Sequence, residues 1–222
     1  MFTCDDLLDK VAKLLPEVLE TLESYARFHP WAEGFVRGVL ELPVEDLLIT
    51  CHEETIALGS RSRVEAVVDA ITSEATLEDG REVTVICFFG IFLELYSRYS
   101  FTSHEQEIDA ILRSVIAHEL MHAYLFRFQE YGEEIPEKIE EALSRFAPLK
   151  FASDRASIGW LGEGVSLASK RGRLRLFPTY SDFAEFTQKL LPKLELRRLR
   201  LKSFKGLISS FQKELEEKIE KI

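Results

Sequence analysis

The chain has 222 residues, 46% of them hydrophobic and 16 of them Phe, which is enough for a real core in one large domain or one domain with small lobes. No run approaches the roughly 18 apolar residues of a membrane helix, and the acidic, amphipathic first stretch lacks the apolar region of a secretory signal, so a membrane span and a leader are both excluded as readings. The net charge of −10 is uneven: residues 170–222 carry 14 Lys+Arg against 7 Asp+Glu, or +7, which leaves −17 on the remainder and argues against general nucleic-acid affinity there. Three scattered cysteines, Cys4, Cys51 and Cys87, have no metal-ligand spacing and predict free thiols in a reducing, cytoplasmic setting.

In chain order, Asp5 to Phe28 carries a helical apolar stripe (Leu7, Leu8, Val11, Leu14, Leu15, Val18, Leu19, Leu22, Tyr25), with Pro16 expected to kink or divide it and His29-Pro30 to end it. Trp31 to Leu40 reads as a second short helix, and His29 as a loop histidine rather than a ligand. Leu47 to Leu58 is apolar and β-branched, as in a strand; its Cys51-His52-Glu53-Glu54 reads as an exposed turn or edge. Val64, Val67, Val68 and Ile71 have helical spacing and predict a short helix over Ser62 to Ile71. Glu78-Asp79-Gly80 is a turn signal before a buried strand, Val83 to Phe89; Gly90 punctuates it, and Ile91 to Tyr99 reads as helix.

The most informative stretch is SVIAHELMHAYLF, Ser114 to Phe126, with an HExxH at His118-Glu119-Leu120-Met121-His122. No Gly or Pro interrupts Glu105 to Gln129, Ser103 and Gln106 form a capping-box pattern, and Ile108, Ile111, Leu112 and Val115 share the apolar face with the motif. Residues four apart stack on one helix face, so His118 and His122 can direct two imidazole nitrogens at one metal ion. Glu119 lies about 100° round the helix, within reach of a metal-bound water. Two histidines and a glutamate on an apolar face are costly to bury without a ligand. This is the pattern of zinc peptidases, with the Glu as general base.

Beyond it, Tyr131-Gly132 closes the helix and Pro136 opens another over Glu137 to Lys150. Asp154 to Ser169 reads as a helix or a pair of turns broken by Gly159, Gly162 and Gly164. Ser181 to Leu191 reads as a helix capped by Ser181 and ended by Pro192. Leu194 to Leu201 alternates like a strand or a solvated helix edge, and Ser203 to Ile222 is a terminal amphipathic helix.

Catalytic zinc takes three protein ligands and leaves one position for water. His29, His52 and His104 all lie upstream of the motif, so a third histidine after it is absent and a downstream carboxylate is required. Glu140, Glu141 and Glu163 are the downstream candidates. Around Ile139, Glu141, Ala142, Leu143 and Phe146 the chain resembles the gluzincin metallopeptidases, in which a second helix carries the ligand Glu among small and apolar residues. That resemblance favours Glu141, which is separated from His122 by 18 residues and followed by Ala142. Trp160-Leu161-Gly162-Glu163-Gly164-Val165-Ser166 is similar to the WLxEGxA string around the ligand of aminopeptidase N-type enzymes. From Val83 to Ala147, through Ile116-Ala117-HELMH-Ala123-Tyr124-Leu125, Gly132, Pro136 and Ile139-Glu140-Glu141, it also resembles the C-terminal peptidase domain of the plant LIM-domain organ-size regulators, without their Cys-rich module or ubiquitin-interacting segments. Ala142 replaces that family's Gly. Arg145 stands where thermolysin-like enzymes carry a supporting Asp, so the carboxylate support of a zinc histidine must come from elsewhere.

The resemblance implies an α+β, mainly helical, zincin-like metallopeptidase with a small antiparallel sheet beside the HExxH helix. Residues 1–100 would form an N-terminal α/β lobe with the substrate-side sheet, and residues 101–222 a helical lobe with the metal site, in one compact unit. It implies Zn2+ on His118, His122 and Glu141, Glu119 as general base, a peptide or protein substrate, and no membrane partner. Tyr180 is the downstream candidate for an oxyanion donor, with an ordinary tyrosine as the other reading. Val83 to Phe89 is either the strand that pairs with extended substrate or a core strand. The alternative to hydrolysis is a non-catalytic zinc- or partner-binding protein, using the basic 170–205 region for an acidic ligand or nucleic acid. That region lacks aromatic interleaving, which favours a surface that compensates the acidic remainder.

Overall fold

The structure, a computed structural model, describes residues 1–26, 47–60, 62–76, 80–130, 151–152 and 154–198, with side chains left aside at 22–26, 124–130 and 154. Helix α1 (Cys4–Ala26) opens on a reciprocal cap: Thr3 N–H donates to Asp6 Oδ2 (2.8 Å) and Asp6 N–H to Thr3 Oγ1 (3.2 Å). The Thr3 N–H bond, with a second from the Thr3 hydroxyl to Asp6 Oδ2 (2.8 Å), holds the Asp6 carboxyl below its ordinary range. Pro16 does not divide α1. The carbonyl that loses its partner belongs to Ala12, an exposed position that water can reach.

Strands β1 (Leu47–His52), β2 (Thr55–Ser60), β3 (Arg63–Val68), β4 (Ala70–Thr76) and β5 (Glu82–Phe89) precede helices α2 (Ile91–Tyr99), α3 (Glu105–Glu130) and α4 (Asp154–Lys170). Strand β6 (Leu174–Phe177), helix α5 (Tyr180–Leu190), a 3-10 turn (Leu191–Lys193) and the short strand β7 (Arg197–Arg198) complete the described elements. The α+β class is observed, with five α-helices among the described residues. The small antiparallel sheet is instead two mixed sheets, ordered β4-β5-β1-β7 and β3-β2-β6. β1 and β5 run parallel, with Ile49 opposite Ile86; β4 and β7 flank them antiparallel; β6 lies parallel to β2.

The first sheet is covered on both faces. Leu47, Ile49, Cys51, Ala70, Ile86 and Phe88 point to a core shared with α1, α2 and α3, while Leu48, Val85, Cys87 and Phe89 meet Ile56 of β2, Phe183 of α5 and Leu191. That two-sided burial explains the apolar run Val85 to Phe89 of β5. Among the described residues no helix is long and apolar enough to cross a membrane.

Several expectations need correction. Ser62 to Ile71 is not helical: it holds β3 and the start of β4. The valines at helical spacing are β-branched, and pairing with β2 outweighs the spacing. Gly59 (φ +130°) permits the bulge in that hairpin, where a Cβ would sit 2.3 Å from the Arg63 carbonyl oxygen. Leu47 to Leu58 is two strands separated at Glu53-Glu54, not one. Asp154–Lys170 is one helix despite its glycines, and α5 is capped by Thr179, which accepts from Asp182 N–H at 3.1 Å, not by Ser181. At the start of α3, Glu105 Oε2 accepts from Phe101 N–H and Thr102 Oγ1 from His104 N–H. Trp31 to Leu40, the turn residues Glu78 and Asp79, Glu137 to Lys150 and Ser203 to Ile222 lie outside the described residues.

The cysteines are the largest correction. Cys4 and Cys51 form a disulfide between α1 and β1, across 47 positions of sequence. Only Cys87 is a free, buried thiol, and burial pushes its pKa up to about 12. Scattered spacing hid the pair because disulfide geometry is set by the fold (here Cα–Cα 5.5 Å). The thiol argument for a reducing compartment therefore lapses.

Candidate metal centre

The apolar stripe of α3 is buried from Ile108 to Ala123 and seats the helix against α1 and β4. This sets how the HExxH residues face: Glu119, Leu120 and Met121 are buried, and His118 and His122 are only partly covered. His118 and His122 are half-buried one turn apart, and their Nε2 atoms converge to 3.0 Å, with the rings 74° from coplanar. Two nitrogens on one tetrahedral zinc, each about 2.0–2.1 Å from it, stand roughly 3.3 Å apart. The pair is within a few tenths of an ångström of that separation, which is compatible with two ligands of one ion and equally with a single N–H···N hydrogen bond between the rings.

Glu119 is 3% exposed. Its Oε2 accepts a 2.6 Å hydrogen bond from Thr72 Oγ1, and the same hydroxyl lies 3.0 Å from the Glu119 main-chain oxygen. Thr72 is the third residue of β4, which forms the outer edge of the first sheet among the described residues. β5 is hydrogen-bonded on both sides, to β4 and to β1, so Val83 to Phe89 is a core strand and cannot take a substrate strand; the edge nearest the motif is β4.

Of the carboxylate candidates, Glu140 and Glu141 lie outside the described residues, as does His29. Glu163, on α4, accepts from Tyr99 Oη at 3.1 Å beside Trp160, whose ring stands edge-on to that of Tyr99. Among the described residues no group of three or more His, Cys, Asp and Glu side chains is placed to hold a metal ion. His52 and His104 are not brought to the motif: they pair with Glu54 (3.1 Å) and Glu107 (3.4 Å). Tyr180 is 62% exposed at the start of α5, its ring 5.9 Å from that of Phe183.

Among the described residues, four arginines of the basic segment are tied to acids of this chain. Arg171 Nη1 reaches the fully buried Glu94 at 2.6 Å, with Arg173 behind it at 3.9 Å. Arg175 grips Glu54 through Nε (2.7 Å) and Nη2 (3.0 Å), and Arg197 reaches Asp9. Two polar residues escaped the sequence reading. Glu94 had a signal, a lone carboxylate inside the apolar run Ile91 to Tyr96. Thr72 had none, because its partner is 47 residues away.

Comparison of the chain with protein-family models, with curated proteins and with solved structures finds no match to any of them. The reading of the centre therefore rests on its residues and their geometry.

Proposed function

We propose that the protein is a zinc-dependent peptidase of the HExxH-plus-Glu type, with His118, His122 and Glu141 as ligands and Glu119 as general base. The observation that carries the reading is the convergence of the two Nε2 atoms, at 3.0 Å, beside a buried and fixed glutamate. Bound zinc would supply Lewis acidity toward the scissile carbonyl and acidify a water towards pKa ~7. Glu119 takes the proton from the attacking water and returns it to the leaving amine nitrogen. The burial of Glu119 excludes bulk water from its carboxylate, and its short bond to Thr72 limits its rotation. The β4 edge offers main-chain groups to an extended peptide. The arginine–acid pairs of residues 171–197 support the compensating-surface reading of the basic segment over a nucleic-acid site.

The test is hydrolysis of a fluorogenic peptide library by the zinc-loaded protein, with and without a chelator. Glu119→Gln is expected to keep zinc and lose about 100-fold or more of the rate. Glu141→Gln is expected to lose most of the bound zinc at neutral pH; unchanged zinc content would pass the ligand role to Glu163 or Glu140. Zinc bound at one equivalent with no cleavage of any library member would leave a metal-binding scaffold and overturn the peptidase reading.

A further inference from the structure

Thr72 occupies a position where an apolar side chain would be the default. It is buried (7% exposed) on the face of β4 that also carries Ala70, turned toward the helical core. A buried hydroxyl is unfavourable unless it is bonded. Its bond to Glu119 Oε2, at 2.6 Å, has the length of a hydroxyl donating to an ionised carboxylate. A hydroxyl carries a single hydrogen, so the 3.0 Å approach to the Glu119 main-chain oxygen is the weaker of its two contacts. The antiparallel register holds the donor in place: Thr72 lies opposite Ile86, and β5 is in turn fixed by β1. A threonine on a paired strand also has few χ1 choices.

We infer that Thr72 is a positioning residue for Glu119, aiming its carboxylate from the sheet side of the helix. The inference rests on the peptidase reading for its catalytic consequence, but the contact itself can be tested without it. Thr72→Val keeps the side-chain shape and removes the hydroxyl; Thr72→Ser keeps the hydroxyl.

Two measurements on the full chain separate the alternatives. The first is thermal unfolding of the metal-free protein in a double-mutant cycle with Glu119→Ala. If the hydroxyl holds the carboxylate, Thr72→Val shifts the midpoint substantially in the Glu119 background and much less in the Glu119→Ala background. Equal shifts in both backgrounds overturn the inference. The second is cleavage of the fluorogenic peptide library with zinc bound. Thr72→Val is expected to lower kcat about 10- to 100-fold with KM and zinc stoichiometry little changed, as for a misaligned base. Thr72→Ser is expected to recover most of the rate. A Thr72→Val protein with unaltered kcat, or one that loses zinc in proportion to activity, overturns the positioning role. If the unaltered protein cleaves nothing while the cycle shows coupling, the peptidase reading fails, and the catalytic consequence falls with it, while the contact stands.

Discussion

At the scale of single residues, buried polar groups carry the information, because each must be bonded, paired or neutralised. Asp69, between β3 and β4, shows the third outcome. Burial pushes its carboxyl from the usual 3.8 up to about 6, against a 3.0 Å bond from Ala70 N–H that pulls the other way. A raised folded-state value means that the folded chain holds this proton more tightly than the unfolded chain. Stability from Asp69 is thus fully present below about 3.8, declines as pH rises, and is lost above about 6. A change of that size corresponds to about 3 kcal/mol. Asp69 keeps part of its surface in water, which screens the charge, so about 1–2 kcal/mol is the expected effect. Asp69→Asn should therefore be more stable than the parent at pH 7 and should flatten the decline between pH 4 and pH 6. Urea titrations at several pH values check this, and an unchanged slope would mean that the carboxyl titrates normally.

At the scale of elements, α4 shows why its three glycines do not break it. Gly159 and Gly162 face open space, whereas a Cβ on Gly164 would come within 2.5 Å of Ile91 Cγ1 and 3.4 Å of Leu95 Cγ. Ile91 is completely buried and has nowhere to move. Gly164 is therefore a point of close approach between α4 and α2, next to the bond from Tyr99 to Glu163. Opposite signs follow within one helix. Gly159→Ala and Gly162→Ala should stabilise by up to about 1 kcal/mol through helix propensity. Gly164→Ala should instead destabilise by about 1–3 kcal/mol from overpacking, with partial rescue by Ile91→Ala. Midpoints of denaturant unfolding for the four variants decide it.

At the scale of the whole molecule, the N-terminal helix is fastened both to the sheet and to α3. Cys4–Cys51 joins α1 to β1, Lys10 bridges Glu105 and Asp109 of α3 at 2.8 and 2.9 Å, and Arg113 reaches Glu17. Asp109 also accepts from the buried Tyr96 at 2.7 Å, so α1, α2 and α3 share one polar cluster under the apolar core. With its cysteines 47 positions apart, the disulfide removes chain entropy worth about 4 kcal/mol from the unfolded state, as an upper figure. The Cys4→Ser/Cys51→Ser protein should lose about 2–4 kcal/mol of stability and become insensitive to dithiothreitol. The parent should lose the same amount when reduced. Equal midpoints for parent and variant under oxidising conditions would show that the two thiols are not joined.

The local features of this chain were legible from its residues because their physics is local. The period of the α1 stripe, the uninterrupted α3, the apolar run of β5 and the one-turn spacing of His118 and His122 each depend on neighbours within a few positions. What Val64 and Val67 do, by contrast, depends on whether β2 lies beside them, and their spacing alone pointed to the wrong element. The pairing of Cys4 with Cys51, the clamp of Arg171 on Glu94, the central place of β5 and the bond from Thr72 to Glu119 all join residues far apart in the chain. Only the folded structure decides these, since register and packing bring those groups within bonding distance, and residue type does not specify its own partner.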